Sequence, residues 1–197
     1  TMEYKFESYD SFLNEYKNKM HYTMTYNLEM LNAWFVASKF ARENAIKDWN
    51  LAQDDLERAN PEEFTWECIK ANADKNLLAV IRANPDMEFI LFYPPFSILA
   101  HKFLDGRGLF ENEIKLKQYI YENCKDLKNV RIYDFQDIEE IITNLDNYRD
   151  MTHYSKEINE YMIDCIASGK HIVTDENLEE KLINLRKLVE MYELPVQ

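Results

Sequence analysis

The chain has 197 residues, 46% hydrophobic and 14% aromatic, which is too apolar for a disordered segment and long enough to bury a core. Its formal net charge is −13 and no cluster of Lys and Arg interrupts that acidity. Binding to nucleic acid or to an anionic membrane surface needs such a cluster, so neither is expected, and the acidity by itself names no partner. The three cysteines, Cys68, Cys124 and Cys165, are widely spaced in apolar helical stretches, with no Cys-x-x-Cys motif for zinc or redox chemistry.

No run of 18 apolar residues occurs and no signal peptide opens the sequence, so the segment is expected to be soluble and to make no membrane contact of its own. Residue 1 is Thr, as expected of a processed product or a piece cut from a longer chain.

Residues 1–84 are predicted to be a helical subdomain. An aromatic-rich start (Tyr4, Phe6, Phe12, Tyr16) leads to Tyr26, Leu31, Trp34 and Phe35 at helical spacing, and then to Ile46, Trp49, Leu51 and Leu56. These aromatics fit a core, and sugar stacking is the alternative. The acidic run 54–58 fits a solvated helix face. Asn60-Pro61-Glu62-Glu63 has the composition of a helix start, and that helix should run until Asn84-Pro85.

The pattern then changes. MEFILFY, residues 87–93, is short and apolar on both faces, as in a buried strand of a parallel sheet covered on both sides. Pro94-Pro95 stops it. A helix is predicted over 96–103, a turn at Gly106 and Gly108, and a helix over 109–126. VRIYDF, residues 130–135, is a second strand. A short helix over 138–145, an irregular stretch, a helix over 155–167 ending at Gly169, and an amphipathic helix over 175–193 follow.

The fold class read from this order is α/β: a mostly helical chain with a small parallel sheet, residues 85–197 forming the α/β part. Two strands make a poor parallel sheet, so more are expected from an upstream segment, from another chain, or from weak strands within this one.

Candidate chemistry lies in YRDMTHYS, residues 148–155. Asp150 and His153 are three apart, so one side chain can face the other across a turn. A carboxylate accepting the imidazole Nδ1–H fixes the tautomer and assigns Nε2 the role of general base. The alternative is capping: Asp150 or Thr152 caps the next helix and His153 lies in its first turn. Tyr93 and Ser97, at the end of the first strand, could shape a substrate groove. Packing for Tyr93 and a helix cap for Ser97 are the competing roles. Tyr154 is expected to pack behind the pair. His21, His101 and His171 are scattered without carboxylates at metal-ligand spacing, so neither a metal site nor a cofactor is expected.

MEFILFYPPFSIL, NVRIYDF and NLDNYRDMTHYSKEINEYMI together resemble the last third of SGNH (GDSL-like) hydrolases and acyltransferases of bacterial surface-polysaccharide systems, over roughly residues 77–168. In that family the penultimate strand often ends in Pro-Pro-aromatic-Ser, the last strand has a buried polar end, and Asp-x-x-His-aromatic precedes the C-terminal helix. The resemblance implies an incomplete SGNH-like three-layer fold, with residues 1–84 as a helical insertion. It implies ester hydrolysis or acyl transfer on an acylated carbohydrate, with Asp150 and His153 as two members of a Ser-His-Asp triad. It further implies a membrane-anchored parent acting on the extracytoplasmic side.

The chain departs from the pattern upstream. Its serines (Ser8, Ser11, Ser38, Ser97, Ser155 and Ser168) include none beside a Gly in a strand–turn, and no Gly precedes residue 106. The nucleophile and oxyanion-hole segments are absent, so this chain alone is expected to be inactive. The rival function is a non-enzymatic helical interaction domain, in which Asp-x-x-His is vestigial or a cap.

Overall fold

The computed structural model describes residues 39–53, 55 and 61–194. The aromatic series up to Phe35, His21, the three serines before residue 39, Leu56, Asn60 and most of the acidic run 54–58 lie outside the described residues. From Phe40 onward the chain belongs to one compact unit.

The order is α1 (Arg42–Gln53), α2 (Trp66–Ala73), a π turn (Asp74–Leu78), α3 (Ala79–Ala83), β1 (Phe89–Tyr93), α4 (Ile98–Gly106), α5 (Phe110–Cys124), β2 (Val130–Asp134), α6 (Glu139–Ile142), a 3₁₀ turn (Leu145–Asn147), α7 (Lys156–Ser168) and α8 (Leu178–Met191). The fold class is α/β, mostly helical with a small sheet. β1 and β2 pair in parallel, Phe89 opposite Val130 through Tyr93 opposite Asp134, and α4 and α5 form the crossover.

Alternation along β2 explains the layering. Ile132 joins a core with Leu78, Ile81, Ile120 and Cys124 on one face of the sheet. Its neighbour Tyr133 joins Phe135, Met162 and Cys165 under α7 on the other. A third core surrounds α4, where Ile98 and Leu99 meet Ala45 of α1, Leu185 of α8, Tyr148 and Met151.

Three expectations change. The predicted helix start at Asn60-Pro61 is replaced by Thr65, whose hydroxyl accepts from the Cys68 N–H at 3.4 Å; residues 61–64 form turns. Cys68 is exposed, while Cys124 and Cys165 are buried.

β1 is not buried on both sides among the described residues. Its burial alternates, with Ile90 and Phe92 exposed. The backbone also leaves one edge of β1 open. The Phe89 N–H donates to the Asn129 carbonyl, and the Phe135 N–H donates to the Tyr93 carbonyl. In a parallel ladder that register turns the main chain of Phe89, Leu91 and Tyr93 toward β2 and that of Ile90 and Phe92 away from it. Among the described residues no strand pairs with that outer edge. An apolar groove of about 740 Å³ runs along it, lined by Phe64, Ile69, Leu77, Ile90, Phe92 and Leu116 among others.

Candidate active site

The segment 146–155 crosses the surface between the 3₁₀ turn and α7, and its own residues anchor it. Tyr148 is fully buried and its hydroxyl donates to the Pro95 carbonyl at 2.7 Å. Met151 is buried in the α4 core. Tyr148 and Tyr154 form an antiparallel bridge, within which the Arg149 N–H donates to the His153 carbonyl at 3.0 Å. The loop between these anchors is short, and Asp150 and His153 sit at its tip.

There the Asp150 carboxylate divides its two oxygens. Oδ1 accepts the backbone N–H groups of Thr152 at 2.9 Å and His153 at 2.8 Å. Oδ2 lies 2.7 Å from His153 Nδ1 and 3.6 Å from the Arg149 Nε. Burial opposes ionisation of Asp150, but the two backbone N–H groups and the imidazole outweigh it and hold the carboxyl below the ordinary carboxylate range. An ionised carboxylate only accepts, so His153 Nδ1 carries the hydrogen, and proton exchange with a reacting group falls to Nε2. The His153 side chain is 58% exposed and that of Asp150 20%, so the acid is set behind the base.

This geometry excludes helix capping. The N-cap of α7 is Ser155 and the helix begins at Lys156. Asp150 therefore ties up N–H groups of its own loop, and His153 precedes the helix.

Ser97 and Tyr93 lie beyond the dyad, and their polar groups find different surroundings. Ser97 occupies the N-cap position of α4, but its hydroxyl caps no helix N–H. It donates instead to the Met151 carbonyl at 2.7 Å, and the Ser97 N–H donates to the same oxygen at 3.0 Å. Ser97 is fully buried and presents no surface to solvent. The Tyr93 ring lines the β1 groove, while its hydroxyl is buried with no partner among the described residues. Burial, and then the nearby Asp134 carboxylate, push that phenol strongly upward. Tyr154 packs partly buried against two cores, as a residue behind the pair would.

A buried polar network escaped the sequence reading. Lys117 of α5 donates to both oxygens of Asp134 at the end of β2, at 2.9 and 2.7 Å, with both side chains at most 3% exposed. Lys181 of α8 donates to the Asp134 carbonyl at 3.1 Å and to Asp137 at 2.8 Å. His101 of α4 places Nδ1 3.0 Å from Glu113 Oε2. Burial pushes the Glu113 carboxyl up, and His101 and Lys117 more than offset it, leaving it below its ordinary value. The available signal was a Lys on the apolar stripe of Phe110, Ile114 and Ile120, and a His inside the apolar run Ile98–Phe103.

The apolar groove lies at β1, and neither Asp150 nor His153 is among its lining residues. The dyad ranks above the groove as the candidate because it combines an aligned base and orienter with exposure, whereas the groove presents apolar walls. Among the described residues no group of three or more His, Cys, Asp or Glu could hold a metal ion. No helix among them is long and apolar enough to cross a membrane. No family model, curated protein or solved structure matches this chain.

Proposed function

We infer that this chain is the C-terminal part of an SGNH-like esterase or O-acyltransferase acting on an acylated carbohydrate or cell-surface polymer. It supplies Asp150 and His153 to a Ser-His-Asp triad whose serine lies outside it. The observation that carries this reading is the 2.7 Å contact between Asp150 Oδ2 and His153 Nδ1, with Oδ1 fixed by two backbone N–H groups. That arrangement sets a tautomer and an orientation, which is what a general base needs from its carboxylate.

In the reaction the serine attacks an acyl carbonyl as His153 Nε2 takes its proton. The imidazolium, stabilised by Asp150, then protonates the departing alcohol. Water or a sugar hydroxyl, deprotonated by the same nitrogen, completes hydrolysis or transfer. The outer edge of β1, with the main chain of Ile90 and Phe92 directed away from β2, is where a strand carrying the serine would join the sheet. A membrane-anchored, extracytoplasmic parent belongs to the same reading.

The test is hydrolysis of an aryl acetate. This chain alone should show none, because oxyanion-hole donors and nucleophile are both missing. The intact gene product should hydrolyse the ester, lose activity in His153→Ala, and lose about 10⁴ in kcat in Asp150→Asn. Hydrolysis by the intact product that survives His153→Ala overturns the assignment, as does hydrolysis by this chain alone that His153→Ala abolishes.

A further inference from the structure

We propose that Ser97 and Asp48 are positioning residues that clamp the Met151 backbone, one at the peptide group on each side of its Cα, and thereby hold His153 in register with Asp150. The proposal rests on reading Asp150 and His153 as a catalytic pair. It adds two residues far away in sequence, which act through the Met151 backbone.

The two peptide groups that flank the Met151 Cα are each bound by a different helix. Its carbonyl accepts the Ser97 hydroxyl at 2.7 Å and the Ser97 N–H at 3.0 Å, both from the start of α4. Its N–H donates to Asp48 Oδ2 of α1 at 3.0 Å. Ser97 is fully buried and Met151 is 4% exposed, so on the carbonyl side water cannot substitute for the clamp, while the Asp48 bond is partly buried. Met151 lies between Asp150 and the two N–H groups that Asp150 accepts, so rotation of either flanking peptide group would change how the carboxylate meets them.

The choice of partner at Ser97 supports a role beyond capping. A serine at an N-cap ordinarily turns its oxygen to the helix's own N–H groups. Here the hydroxyl hydrogen is spent on a carbonyl 54 residues away. Two donors converge on one oxygen, which is a directional restraint that packing of Met151 alone would not provide. The Tyr148 hydroxyl, bonded to the Pro95 carbonyl, is an equally buried tether close by whose hydrogen bond goes to a different carbonyl. It therefore serves as an internal control.

The experiment reads the His153 tautomer by ¹⁵N and low-field ¹H NMR at neutral pH, in the protein as it stands. Wild type should carry its proton on Nδ1, and Asp150→Asn should abolish that form. Ser97→Ala should lose the low-field Nδ1–H resonance and shift His153 toward the Nε2-protonated tautomer, while Tyr148→Phe keeps the wild-type pattern. Asp48→Ala, which releases the other peptide group, should repeat the loss and decides the matter if Ser97→Ala does not fold. Asp48→Asn keeps an acceptor and should restore the signal. If wild type shows the Asp150-dependent Nδ1–H and Ser97→Ala or Asp48→Ala retains it, the clamp is overturned and the pair stands. If wild type never shows it, the pair itself falls and the clamp with it.

Discussion

His101 and His153 each bring Nδ1 to a carboxylate oxygen, at 3.0 Å to Glu113 and at 2.7 Å to Asp150. Their surroundings are opposite. The His101 side chain is 1% exposed, its Nε2 is buried with no partner among the described residues, and its carboxylate sits near the buried Lys117–Asp134 pair. The His153 side chain is 58% exposed at the tip of a loop. The same contact thus serves structure in one place and is available for chemistry in the other. A base must reach a substrate, and only one of these imidazoles can.

The comparison breaks most readily at the buried end. Lys117→Met leaves Asp134 as an uncompensated buried charge and should destabilise the protein by about 3–5 kcal/mol in denaturant unfolding. Glu113→Ala, which strips His101 of its partner, should cost about 3 kcal/mol by the same mechanism. Values below about 1 kcal/mol for both would mean that water reaches this network. Asp150→Ala belongs in between, because it frees two backbone N–H groups at a half-buried site; a loss of about 1–2 kcal/mol is expected.

Acid should sharpen the contrast. Glu113 and Asp150 both have folded pKa values below their ordinary 4.5 and 3.8. A depressed carboxyl contributes stability above its unfolded pKa and loses it as pH falls through the folded one. Stability should therefore decline on acidification below about pH 4.5, and Glu113→Gln should flatten that slope in urea titrations at stepped pH. A slope unchanged by this variant would show that Glu113 does not gain from its partners.

The smallest effect is expected at His153. His153→Ala should change stability by no more than about 0.5 kcal/mol, as for an exposed side chain, while abolishing the activity of the intact product. A large loss of stability would assign His153 a structural role and remove the distinction from His101.

How much of this was legible in the sequence depended on distance along the chain. Asp150 and His153 lie within one turn of each other, so spacing alone suggested the contact. His101 with Glu113 and Lys117 with Asp134 join different elements, and only polar residues on apolar stripes hinted at them. The strands were legible from β-branched and aromatic runs. The exposure of Ile90 and Phe92 was not, because composition describes a strand suited to burial on both faces and says nothing about which neighbours are present. Asn60-Pro61 carried the composition of a helix start, yet Thr65, four residues after Pro61, took the cap. At Ser97 the sequence placed the residue correctly at an N-cap and missed its partner, since Met151 is brought there only by the tertiary fold.

The central claim is that Asp150 and His153 are two parts of a triad completed by a segment outside this chain. The most direct measurement is the intact mass and N-terminal sequence of the native gene product. The account predicts an additional segment containing a strand followed by a serine beside a glycine. A native product that begins at Thr1 would contradict it, because no serine in this chain has that setting.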